Sequence, residues 1–244
     1  MTHSLVPINP ARTALGRTGP AIPTRHHLDF QLDHALARDA VHTTLNVPSL
    51  LAALRERHLH PIALHSAAPD RTTYLRRPDL GRTLAEESAA ALQPNPNDVT
   101  LILADGLSAQ AIERHALPLL DALLPLLTDW RLGPVPVVTQ ARVAIGDPIG
   151  TLLHSTLTVL LIGERPGLSA PDSLGVYLTW HPRPGRTDAE RNCISNIRHE
   201  GLGYLDAARR IHAYMQGARL LNQTGIALKE AATPAIAATA NDPP

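Results

Sequence analysis

Three short stretches of the chain hold residue types that could do chemistry. The first is Gly163-Glu164-Arg165-Pro166-Gly167, where an acid and a base stand between glycines beside a rigid proline. The second is Asp105-Gly106-Leu107-Ser108, a carboxylate and a hydroxyl on a glycine turn. The third is Arg191-Asn192-Cys193-Ile194-Ser195-Asn196-Ile197-Arg198, dense in hydrogen-bonding groups and holding the one cysteine. Each admits a structural reading: Glu164 and Arg165 as a solvated pair at a turn, Asp105 and Ser108 as helix caps, Cys193 as a small buried hydrophobe, and the amides as ties for an irregular loop. A serine nucleophile on a sharp elbow needs glycine two residues before and two after it. Gly106 fits and Gln110 does not. Cys193 has no general base close in sequence. No glycine-rich dinucleotide fingerprint and no phosphate-binding P-loop pattern is present.

The elements that position these stretches can be read from apolar patterning. Thr156 to Ile162 is a continuous, β-branched apolar run, the signature of a strand buried on both faces. Glu164 and Arg165 follow it directly, where an α/β sheet meets its ligands. Val99 to Ala104 reads as a second buried strand. The Asp105–Ser108 turn then leads into helix, which Pro118 is expected to break into pieces near 107–116 and 118–128. Val135 to Thr139 is a further strand, Ile149 to Leu153 a short helix, and Ser173 to Trp180 a strand beside the central one. Tyr204 to Leu221 is an amphipathic helix that closes the fold, with Leu205, Ala208, Ile211, Tyr214 or Met215, and Ala218 on one side.

Earlier in the chain, Thr24 is placed as the N-cap of a helix to about Val41. Leu28, Leu32, Ala35 and Leu36 lie on one side of it. His34, Arg38 and His42 lie on another, as a solvated side, a partner face or a weak metal pair. Helices are expected at Ser49 to His58, opened by Pro48, and at Pro78 to Gln93, with a short strand at Pro61 to His65. Arg71, Arg76 and Arg77 around Tyr74 form a basic patch suited to a partner's carboxylates or to a phosphate. The expected class is α/β: a Rossmann-like, mostly parallel sheet with flanking helices, preceded by a small helical N-terminal region. The divisions are an extended arm at 1–23, the helical region at 24–97, the sheet domain at 98–229 and a flexible tail at 230–244.

Net charge is zero over 244 residues, so electrostatics give no case for nucleic acid or an anionic membrane. Charged residues make up only 18% of the chain, which points to a surface partly covered by another protein. With one Phe, two Trp and four Tyr, the core must be aliphatic. A single cysteine allows no disulfide framework. No apolar run approaches the roughly 20 residues of a membrane span, and no signal-peptide core is visible near the start. A cytoplasmic protein is expected.

The phrases IGERPGLSAPDSLGVYLTWHPR and TDAERNCISNIR resemble the small (light) subunit of ethanolamine ammonia-lyase. The segments LGRTGPAIPTRHHLDFQLDHALARDAV, LADGLSAQAI and ARVAIGDPIG extend the resemblance from about Leu15 to Lys229. It implies a non-autonomous subunit that shares adenosylcobalamin with a TIM-barrel large subunit in a hetero-oligomer, the complex converting ethanolamine to acetaldehyde and ammonia by a radical mechanism. It also implies cobalamin contacts at Val143, Glu164 and Cys193, with no catalytic or metal-ligating residue contributed by this chain. Little sequence precedes the matched region, so the microcompartment-targeting segment of some members is not expected. A stand-alone hydrolase using Ser108 and a ligand-free scaffold are the competing readings.

Overall fold

The computed structural model describes residues 21–228. The expected arm lies almost wholly, and the tail entirely, outside them. In chain order the elements are α1 (Thr24–His42), α2 (Val47–Glu56), β1 (Pro61–His65), α3 (Arg71–Arg76), α4 (Glu86–Ala91), β2 (Asn97–Ala104), α5 (Ala109–Leu123), β3 (Val135–Thr139), α6 (Gly146–Leu152), β4 (Ser155–Gly163), β5 (Leu174–Trp180), β6 (Asn192–Ile197) and α7 (Tyr204–Leu221). Short 3-10 turns include Leu80–Arg82 and Val143–Ile145.

The six strands form one mixed sheet in the order β1-β3-β2-β4-β5-β6. The first four pair in parallel, and β5 and β6 add on antiparallel. β4 is buried on both faces, as its unbroken apolar sequence requires. Leu157, Val159 and Leu161 point into the larger core with α5 and α7, where Ile112, Leu119, Ile211 and Met215 are buried. Leu160 and Ile162 point to the opposite core with Ile145 and Ile149. Helices therefore cover both faces. The chain leaves β2 for β3 on one side and returns to β4 on the other. The direction of winding reverses between β2 and β4, and the loops there part to leave a crevice.

Several expectations are corrected. Pro118 does not break α5, which runs on through it. Proline removes only one intrahelical bond, and Ala116, Leu119 and Leu120 around it are fully buried against the core. The helix expected over 78–93 is instead a 3-10 turn and the short α4. Gly81 lies where a Cβ would stand 2.8 Å from Arg142 Cγ and 2.9 Å from the Tyr74 ring, so this segment packs by close approach. β6 is a strand where an irregular loop was an open reading. α6 starts at Gly146, three residues earlier than expected, and its first turn carries Asp147, which is in a buried ion pair with Arg191.

At the N-terminus, Pro23 and not Thr24 holds the cap position of α1, with no side-chain cap bond. Leu28, Leu32 and Leu36 are exposed, and only Ala40 of this helix is buried. Leu205 is also exposed; Ala207 takes the inward place in the first turn of α7.

Candidate functional site

The crevice at the carboxyl ends of β2 and β4 is a hollow of about 380 Å³. Gly106 and Leu107 bound it after β2, Gly163 at the end of β4 with Glu164 and Arg165 beyond it, and Val143 from the turn before α6. Arg142, Val143 and Tyr177 also line an adjoining hollow of about 860 Å³, which reaches the 184–188 loop. The two make one trough across the sheet's end.

Glu164 is half-buried and held. Its backbone N–H donates to the Ser173 carbonyl at 2.9 Å. Its Oε2 accepts from the Ser173 hydroxyl and, at 3.1 Å, from the Asn196 N–H. Oε1 has no donor among the described residues. Gly175 on β5 makes room for the side chain: a Cβ there would lie 3.0 Å from Glu164 Cγ and Oε1. The solvated-pair reading therefore fails for Glu164, while Arg165 is exposed at the rim.

Cys193 is exposed on β6, not buried, with Sγ 3.2 Å from the Ser195 hydroxyl. It is the register partner of Tyr177, so both side chains stand on the same sheet face. Burial, then the neighbouring Cys193 and Glu164, push the Tyr177 phenol above its usual range and keep it protonated at neutral pH. Asn192 does not face the trough; its amide is spent on both backbone groups of Gly225.

The Asp105–Ser108 turn is structural in a way the sequence did not disclose. Ser108 is fully buried and makes no cap bond; its hydroxyl donates to the Pro171 carbonyl at 3.0 Å. That arrangement has no nucleophile, and the hydrolase reading falls with it. The Asp105 carboxylate accepts from the N–H groups of Gln140 and Ala141 at 2.9 and 3.1 Å. Burial pushes its carboxyl above the ordinary range, against the pull of those two N–H groups and of Arg71.

The basic patch dissolves. Arg71 turns inward to the Val41 and Gly106 carbonyls and to Asp105, Arg77 pairs with Asp79, and Arg76 is exposed. Tyr74 is buried between the Arg71 and Arg142 guanidinium groups, 4.7 and 4.3 Å from its ring centre. Sequence reasoning missed Tyr177 and Arg142 as wall residues. A lone polar-tipped aromatic in an apolar strand was the available signal for Tyr177. His34, Arg38 and His42 are exposed on α1, and no group of three or more His, Cys, Asp or Glu that could hold a metal occurs among the described residues.

The loop between β4 and β5 is latched from α5. Asp172 accepts from Arg114 at 2.8 Å and lies 3.3 Å from His115, whose other ring nitrogen meets the Tyr204 hydroxyl. Burial raises the Asp172 carboxyl, but Arg114 and His115 outweigh it and hold the group below its ordinary 3.8. A depressed folded value means stability that is present above 3.8 and is lost as pH falls through the folded value. Protection of the loop amides, measured against their intrinsic exchange rate at each pH, is expected to fall over that acid window, and the fall should vanish in Asp172→Asn.

Fold and site define the class: an α/β protein with an open trough over the carboxyl ends of its parallel strands, walled by a carboxylate, an arginine and a tyrosine. Residues 1–229 match the family ethanolamine ammonia-lyase light chain (EutC), and the chain belongs to that family of lyase subunits. The ethanolamine ammonia-lyase small subunits of Pseudomonas fluorescens (strain Pf0-1) and Azotobacter vinelandii (strain DJ) are each 52% identical over 233 residues. These matches span 92% of this chain and 85% and 86% of theirs. That of Xanthomonas campestris pv. campestris (strain ATCC 33913) is 49% identical over the same length. A light chain implies a large-subunit partner. Among the described residues no helix is long and apolar enough to cross a membrane.

Proposed function

We propose that this chain holds adenosylcobalamin against the large subunit of ethanolamine ammonia-lyase, the complex converting ethanolamine to acetaldehyde and ammonia by a radical route in the cytoplasm. On this reading residues 98–229 are a Rossmann-like cobalamin-binding domain, 24–97 a mainly helical N-terminal region that lends β1 to its sheet, 1–23 an arm and 230–244 a tail.

The observation that carries the proposal is the Glu164 carboxylate, fixed through Oε2 at the reversal of the sheet with Oε1 left over. A corrin is rimmed by amide groups, and a pre-oriented carboxylate oxygen is the acceptor they require. Val143, on the opposite rim of the crevice, gives apolar contact. Cys193 presents a thiol on the same face as Tyr177 and serves packing or a weak hydrogen bond, not redox chemistry. Arg142 adds positive charge to the wall that both hollows share. The residues present fit the group. The trough is open on one side, which suits a large cofactor covered by a second chain.

When bound, adenosylcobalamin supplies the radical through homolysis of its cobalt–carbon bond. This chain binds, orients and excludes water. On this reading it contributes no catalytic residue, and turnover requires both subunits. In the assembled enzyme, Glu164→Ala is expected to weaken cobalamin affinity about ten- to hundredfold, the worth of a hydrogen bond to a charged group. Far-ultraviolet circular dichroism should be unchanged. An unaltered affinity would remove Glu164 from the site. Acetaldehyde release by this chain alone would remove the subunit reading.

A further inference from the structure

The four-residue turn at the end of β2 grips both rims of the crevice. On one side Asp105, whose side chain is 4% exposed, accepts from Gln140 N–H through Oδ2 and from Ala141 N–H through Oδ1. Arg71 completes this contact at 3.4 Å from Oδ2. The Ala141 carbonyl accepts from the Tyr74 hydroxyl at 2.8 Å. Val143 is two residues further along the same segment. On the other side Leu107 N–H donates to the Gly163 carbonyl at 3.0 Å, and the Ser108 hydroxyl donates to the Pro171 carbonyl at 3.0 Å. Pro171 lies two residues before Ser173, which donates to Glu164.

Asp and Ser at a helix start ordinarily satisfy the helix's own first N–H groups. Here neither side chain caps α5. Both reach outward, one to each rim. A ligand held between two rims gains affinity from their fixed separation, because no ordering cost remains at binding.

We propose that Asp105 and Ser108 are positioning residues for the corrinoid: the turn is a two-armed clamp that sets the gap between Val143 and Glu164. The proposal rests on the cobalamin reading of the trough. Asp105 acts through the Val143 rim and Ser108 through the Glu164 rim, and neither touches the ligand.

The test uses the complex with the large subunit, titrated with cyanocobalamin and followed by absorbance, so that binding is read without turnover. Ser108→Ala is expected to bind about fivefold more weakly and Asp105→Asn tenfold or more, as for one neutral and one charged buried hydrogen bond. The two arms separate in a second background. With Glu164→Ala already present, Ser108→Ala should cost almost nothing further, whereas Asp105→Asn should keep its effect. A merely structural role predicts lowered melting temperatures with wild-type affinities, and that result would overturn the proposal. An equal loss from Ser108→Ala in both backgrounds would overturn it too. Tyr74→Phe, which frees the Ala141 carbonyl without changing charge, tests the Val143 arm if Asp105→Asn does not assemble, and is expected to weaken binding about fivefold; unchanged affinity there sinks that arm. Failure of the wild-type complex to bind cyanocobalamin would instead defeat the cobalamin reading itself.

Discussion

Arg191→Met is expected to destabilise the chain by about 3–5 kcal/mol, because it strands the Asp147 carboxylate in the interior. The two side chains are 2% and 3% exposed. Arg191 meets both Asp147 oxygens, at 2.8 and 2.7 Å, and also the Thr179 hydroxyl at 2.8 Å and the Arg186 carbonyl at 3.1 Å. The fork thus joins α6 to β5 and to the loop over the larger hollow. Lysine cannot reproduce it, since a single ammonium lacks the planar pair of donors that both carboxylate oxygens accept. Arg191→Lys should therefore recover only part of the loss. The double variant Arg191→Met, Asp147→Leu removes the orphaned charge and should regain most of the stability. Urea unfolding of the four chains measures this; a single variant no less stable than the double would refute the account.

Gly163→Ala should be comparably damaging, at about 3 kcal/mol or more, through overpacking. Its Cβ would fall 2.0 Å from the Ser108 carbonyl oxygen and 2.5 Å from that of Asp105. Both are main chain and cannot rotate away. The neighbouring Gly106 is constrained twice over: its φ is +56°, and a Cβ there would stand 2.2 Å from the Gly163 carbonyl oxygen. The turn and the end of β4 are in contact, backbone to backbone. Gly203→Ala is the control. Nothing lies within 4 Å of its added Cβ, and it should cost no more than about 1 kcal/mol, the difference between Gly and Ala at the N-cap of α7. Thermal melting separates the two, and a Gly163→Ala chain that melts with the control would show that this contact relaxes.

What the sequence made legible follows from how strongly burial constrains residue type. β1, β3 and α7 have the bounds expected, and β4 is one residue longer at each end; β3 and β4 are the clearest, because unbroken apolar runs of that length are buried on both faces. β6 was obscure because a buried polar residue, Asn192, stands where the alternation calls for an apolar one, its amide spent on Gly225. α5 was misjudged because propensity at Pro118 is local and the packing that overrides it is not. The leucines of α1 were legible as one apolar side, but periodicity does not say what covers such a side, and Leu28, Leu32 and Leu36 are exposed. At the trough, the place of Glu164 after β4 was legible, but its partners Ser173 and Asn196 are nine and thirty-two residues away. Neither spacing carries a local signal. The roles of Asp105 and Ser108 were hidden for the opposite reason: both types so often cap helices that their outward bonds are unreadable from sequence.

β5 and β6 join the sheet antiparallel and need no crossover helix between them. Tyr177 and Cys193 therefore stand side by side on one sheet face, and where Tyr177 reaches the trough its bed is ladder, between the loops that supply the rest of the wall. Ladders resist shear, and each side chain on one can be exchanged without moving its neighbours' backbone. The segments that frame the trough, 140–143 and 164–173, are tethered only at points. Selection thus meets two kinds of material here: a stiff bed that keeps its shape while its surface is repainted, and a frame whose shape is set by a few replaceable fastenings.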